Sequence, residues 1–189
     1  MSQGAAPRKS IIVGIARIAR GRVDGIDCFN SSPQAFLSSL APLVAFPLVS
    51  AVLGMFTDGP RTALTGLAMT VCALLMPAVV SYELARLWRR SEAWARFATV
   101  FNWCEWILPV LACLLMVPLS VAISAGMSET AASLTLVSCL GLYGLWLHWF
   151  LARNALGLSV FRAVLLVLLV NLGTAVVVLG PRLLANGLG

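Results

Sequence analysis

The chain is 189 residues long, 60% hydrophobic and only 11% charged, with a mean hydropathy of +0.96. A water-soluble domain carries about 25% charged residues, so this composition argues against a secreted disulfide scaffold, a disordered chain and a nucleic-acid-binding domain. The net charge of +6 comes from 13 basic and 7 acidic residues, and the basic ones fall in gaps between apolar runs. There they read as membrane-topology signals rather than as a polyanion site.

In chain order, residues 1–34 form a cytoplasmic N-terminal segment. Within it Ser10–Val23 sets Ile11, Ile12, Ile15 and Ile18 against Arg17, Arg20 and Arg22. At roughly 100° per residue the isoleucines gather on one face, with Arg17 and Arg20 opposite. This predicts a short amphipathic helix lying in the membrane interface, its arginines binding the surface of anionic lipid. Ser32 and Pro33 then supply a helix cap and a first helical residue.

Residues 35–189 form a transmembrane domain. A spanning helix needs about 20 mostly apolar residues. Five stretches meet that need: Ala35–Phe56, Ala63–Ala85, Phe97–Ser124, Ala131–Leu151 and Val164–Gly180. Thr57-Asp58-Gly59-Pro60 reads as a tight turn between the first two. Arg86–Arg96, Gly126–Thr130 and Arg153–Ser159 supply the other connectors. The predicted fold class is all-α, a polytopic five-span helical bundle.

Counting Lys and Arg on alternate sides places eleven with the N-terminal segment and the second and fourth connectors, and two, Arg61 and Arg182, opposite. The positive-inside rule then puts the N-terminus in the cytoplasm and the C-terminus outside, as expected for a multi-pass protein of a bacterial inner membrane. Trp88, Trp94, Trp146 and Trp149 fall near the cytoplasmic ends, where indole rings anchor at the interface.

Chemistry-bearing residues are few. Five cysteines form no C-x-x-C pair and there is one histidine, so neither a metal nor a cofactor is expected. No nucleophile elbow, zinc-protease motif, phosphate loop or dinucleotide fingerprint occurs, and no enzymatic activity is expected. Glu83 lies three residues before Arg86 and reads as half of an intrahelical ion pair.

Glu105 is the most informative residue. Counted from Phe97 it lies roughly 12 Å into the bilayer, where a carboxylate costs about 3 kcal/mol or more unless it is neutral or paired. Asn102 precedes it by three residues and Pro109 follows by four, so the three share a face. Pro109 removes the amide that would bond the Glu105 carbonyl, which predicts a freed carbonyl and a kink. Asn171, roughly 13 Å in from Arg162, and His148, about one turn from Arg153, are expected to join Glu105 in a polar cluster. That cluster serves as a proton or cation relay, as a polar pocket for a lipid head, or as an interhelical hydrogen bond fixing the packing. Ser138, Gly141 and Gly144 line one side of the fourth span and permit close helix contact.

The layout resembles the bacterial members of the Yip family of small integral membrane proteins. The best stretches are Arg96-Phe97-Ala98-Thr99-Val100 running into the Pro109-containing span, and Gly141-Leu142-Tyr143-Gly144-Leu145 in the next. The resemblance implies a five-span membrane organiser or accessory protein. The expected function is therefore a non-catalytic scaffold or accessory subunit. Its partners would be membrane lipids and either a second copy or another membrane protein, with no nucleic acid. The alternative is a small transporter or channel subunit with a proton- or cation-coupled site at Glu105.

Overall fold

The computed structural model describes residues 10–187, with side chains placed as far as residue 180. Arg8, Lys9 and the Arg182 side chain lie outside the described residues. Among the described residues the protein is all-helical. A short α1 (Ile11–Ala19) and a 3-10 helix over Val23–Cys28 precede α2 (Pro33–Thr57), α3 (Pro60–Leu87), α4 (Ser91–Cys104), α5 (Ile107–Ser124), α6 (Glu129–Ala155) and α7 (Val160–Gly187). Counting α4 and α5 together, five helical stretches are long and apolar enough to cross a membrane.

The helix ends follow local chemistry. The Ala35 amide donates to Ser32 Oγ at 3.2 Å, and Pro33 opens α2. Pro60 opens α3 after Gly59, whose φ of 86° suits only glycine comfortably. Ser128 caps α6 through the Ala131 amide. At the end of α3 the Arg90 amide reaches back to the Ala85 carbonyl at 2.7 Å and the Arg89 amide to that of Arg86 at 3.1 Å. This Schellman motif holds Arg89 at φ 56°, a left-handed conformation that other helix ends give to glycine.

The third predicted span is one segment in sequence and two helices in space. It breaks at Glu105 and Trp106, between α4 and α5. The expected kink is thus a break, and the Glu105 carbonyl is not left free: it accepts from the Leu108 amide at 3.2 Å. The Pro109 ring clashes with the carbonyl four residues back and cannot bond to it. The chain therefore tightens by one residue there and restarts as α5.

The long helices stack as neighbours along the chain and across it. α2 lies on α3 and α4, α3 on α7, and α6 on α5, α7 and α4. The core is concentrated at one end, where Phe97, Val100, Cys104, Leu147, Leu151, Leu156, Ala163 and Leu166 meet. Towards the opposite end, which carries the α2–α3 and α5–α6 turns, burial falls away. No residue of α5 is buried, and none of the described side chains of α7 beyond Val170 is.

α1 closes the well-packed end. The predicted single apolar stripe is split: Ile18 is 0% exposed and enters the core with Ile26 and Phe29, whereas Ile12 is 76% exposed. The 3-10 helix folds back against α1 at close range. A Cβ on Gly14 would stand 2.7 Å from Phe29 Cε2, and one on Gly25 would stand 2.8 Å from the Gly14 carbonyl oxygen. Only glycine permits that approach. Tyr143 of α6 donates its hydroxyl to the Ala19 carbonyl at 3.0 Å and ties α1 to the bundle.

Candidate functional site

The break in the third span sets the site. With Pro109 forcing a tight turn at Glu105, the carboxylate leaves the end of α4 beside α6. There Glu105 Oε1 lies 2.8 Å from His148 Nε2. Both side chains are largely enclosed, His148 17% and Glu105 29% exposed. The imidazole is also held by Phe101 of α4, with ring centroids 4.7 Å apart. The acid and the histidine expected to meet do so, and each comes from a different helix of the packed end.

His148 Nδ1 is buried and makes no hydrogen bond, so the imidazole's side-chain hydrogen bond is the Nε2 contact to Glu105 Oε1.

Asn102 and Asn171 do not join the pair. Asn102, 6% exposed, donates through Nδ2 to Ser39 Oγ of α2 at 3.0 Å, and Ser39 in turn donates to the Phe36 carbonyl at 2.6 Å. Asn171 sits on an exposed face of α7 and donates to its own helix at the Val167 carbonyl. Both depths were readable; the direction in which each side chain leaves its helix was not.

Of the predicted lipid-facing arginines, Arg17 and Arg22 converge on Asp24, at 3.3 and 2.8 Å, and Arg20 is exposed. The hydrogen bond from Arg22, reinforced by the charges of Arg22 and Arg17, holds the Asp24 carboxyl below its ordinary range. Glu83 and Arg86 form the expected ion pair at 2.9 Å. The four tryptophans pack partly against the core. Trp94 donates its indole N–H to Ser81 Oγ at 3.1 Å, and Arg153 and Arg162 lie over the Trp149 and Trp88 rings.

Two participants escaped the sequence reading. Ser39 lies about 6 Å into its span and Asn102 about 8 Å into its own by helical rise, so matched depth was a usable signal. Trp106, in the break itself, packs on Phe46 of α2 with ring centroids 5.2 Å apart, and its Nε1 is buried without a hydrogen bond. Among the described residues no group of three or more His, Cys, Asp or Glu side chains is arranged to hold a metal ion.

Compared with protein-family models, with curated proteins and with solved structures, the chain matches none of them.

Proposed function

We propose that the chain is a small proton-coupled transporter or channel subunit of a bacterial inner membrane, with Glu105 and His148 as its proton-binding pair. The observation that carries this reading is the 2.8 Å contact between an acid and an imidazole at a helix break deep in a candidate span. Intramembrane ionisable pairs are costly to bury and mark proton or ion pathways. Broken helices place such pairs where backbone and side chains can rearrange. In this reading the transported proton is held at the contact between Glu105 Oε1 and His148 Nε2, and separation of the two side chains releases it.

The topology proposed is the one the arginine distribution suggests, N-terminus in the cytoplasm and C-terminus outside. α1 would rest in the cytoplasmic interface. Its exposed Ile11, Ile12 and Val13 support that placement, being apolar side chains left outside the core. The Yip-like layout remains part of the proposal as a resemblance.

A second reading, a non-catalytic scaffold or accessory subunit, is favoured by α5. This helix packs chiefly along α6 and buries none of its residues within the chain, leaving a face for a partner helix or a second copy.

The deciding experiment is proton uptake into proteoliposomes under an imposed membrane potential, read by an enclosed pH dye. Wild-type protein should give potential-driven uptake above empty vesicles, and Glu105→Gln should reduce it to their level while keeping its helical content. Equal uptake by wild type and Glu105→Gln would overturn the transport reading and leave the scaffold.

A further inference from the structure

Two turns at the packed end of the bundle carry arginines that no acid neutralises. α3 and α7 run antiparallel, with Met76 beside Gly173 and Trp88 beside Arg162. The α3–α4 turn therefore lies next to the α6–α7 turn. The guanidinium of Arg162, in the first turn of α7, stands over the Trp88 ring, 5.9 Å from its centroid. A Cβ on Gly157 would lie 3.7 Å from Arg90 Nη1. Arg90 thus reaches from the first turn towards the second and Arg162 from the second towards the first, and both cations lie along one seam.

Arg89, next to Arg90, holds the left-handed position of its turn at φ 56°, which glycine would occupy at lower cost. Backbone strain of this kind gathers where a side chain serves something other than the fold. None of Arg89, Arg90 and Arg162 belongs to an ion pair among the described residues. Glu83 is taken up by Arg86, which leaves Glu92, in the first turn of α4, as the one carboxylate of the two turns. The helices that begin there add to the positive field. α4 has no side-chain cap, and the Arg162 amide reaches Ser159 Oγ only at 3.4 Å. Beside the arginines stand apolar side chains with little over them, Leu87 being 73% and Phe161 76% exposed.

We propose that this seam binds an anionic phospholipid of the adjoining leaflet, of the phosphatidylglycerol class. Its phosphate lies between Arg90 and Arg162, whose guanidinium groups give charge-assisted, forked pairings, and Arg89 stands at its edge. Its acyl chains run past Leu87 and Phe161. Three cations against one carboxylate favour a headgroup of net negative charge over a zwitterion, whose own ammonium competes for the phosphate. The exposed apolar pair favours a lipid over a free phosphate. Basic pockets between spanning helices recognise lipid phosphates in this manner. The site requires only that the apolar helices lie in a membrane, independently of any proton chemistry at Glu105.

The full-length protein is reconstituted in vesicles of equal phosphatidylglycerol and phosphatidylcholine with the same acyl chains, extracted gently and weighed by native mass spectrometry. The wild type should retain one lipid per chain and favour phosphatidylglycerol more than about tenfold, since each arginine contact near a membrane surface is worth about fivefold. Arg90→Gln, Arg162→Gln and Arg89→Gly should each lower that preference about fivefold while circular dichroism stays helical. Arg89→Gly should do so while gaining stability, a combination that a purely structural role would not give. Arg61→Gln, at the opposite end of α3, should leave the preference as it is. Glycerol phosphate, which offers the phosphate without the chains, should not displace the lipid. Equal retention of the two lipids by the wild type, an unchanged preference in any of the three variants, an equal loss in Arg61→Gln, or displacement by glycerol phosphate would each overturn the proposal.

Discussion

If Glu105 and His148 form a true intramembrane pair, a double-mutant cycle on stability has a distinctive outcome. The variants are Glu105→Met, which keeps an unbranched chain of similar length, and His148→Phe, which keeps a ring against Phe101 at the 4.7 Å packing distance. A neutral interhelical hydrogen bond in a membrane averages about 0.6 kcal/mol, whereas one with a charged partner contributes about 1.5–3 kcal/mol. With the contact at 2.8 Å and both side chains less than one third exposed, a coupling between these two ranges, about 1 kcal/mol, is expected. His148→Phe alone strands a carboxylate against an apolar ring and should be the most destabilised of the three. Adding Glu105→Met should recover most of that loss, because removing both partners costs little where removing one leaves an unpaired buried group. The assay is reversible unfolding in mixed micelles by SDS titration, followed by tryptophan fluorescence. A coupling below about 0.3 kcal/mol, with the double variant as unstable as the sum of the singles, would refute the pairing.

The remaining expectations concern the supports of the site. Gly25→Ala places a methyl 2.8 Å from the Gly14 carbonyl oxygen and Ile18 Cγ1; overpacking of this kind costs about 1–3 kcal/mol, and hydrogen exchange across α1 should accelerate. Asp24 is held below its ordinary range by Arg22 and Arg17. Its contribution is therefore complete above the unfolded value near 4 and lost as pH falls through the lower folded one. Hydrogen exchange across the Val23–Cys28 helix, taken relative to the intrinsic rate at each pH, should quicken only in that acid window, and Asp24→Asn should abolish this difference. Arg89→Gly relieves a left-handed backbone and should stabilise by about 1 kcal/mol in the same SDS titration. Pro109→Ala restores the missing amide and should let α4 run into α5 as one helix. Spin labels placed on the two helices would then report a straighter segment, and the His148 imidazole nitrogen shifts should lose the signature of a carboxylate partner.

The five spans were legible because lipid demands long apolar runs, and the Ser32 cap, the turn at Asp58 and the Glu83–Arg86 pair because each is local. Depth along a span was legible in part: it put Glu105 and His148 in the same half of the bundle, with His148 the shallower, yet their atoms meet at 2.8 Å. Azimuth was not. In water a polar face tells which side of a helix looks inward, but between helices and lipid both sides are apolar. Hence Asn171, at a suitable depth, leaves α7 on an exposed face, and Asn102 turns to Ser39 instead of to the acid. The isoleucines of α1 divide: Ile18 is docked in the core, whereas Ile12, about 120° away around the helix, is exposed. Pro109 announced a disturbance at Glu105, yet the closing bond from the Leu108 amide depends on where α5 restarts.

The unequal packing of the two ends makes α5 a lever. Its 18 residues give an arm of about 27 Å, pivoted at the Glu105–Trp106 break and anchored by no buried side chain. Each degree of rotation at the pivot moves the far tip by roughly half an ångström. On the proposed proton-coupled reading, a change in the charge of the pair at the fulcrum would be geared into a larger displacement at the far tip of α5.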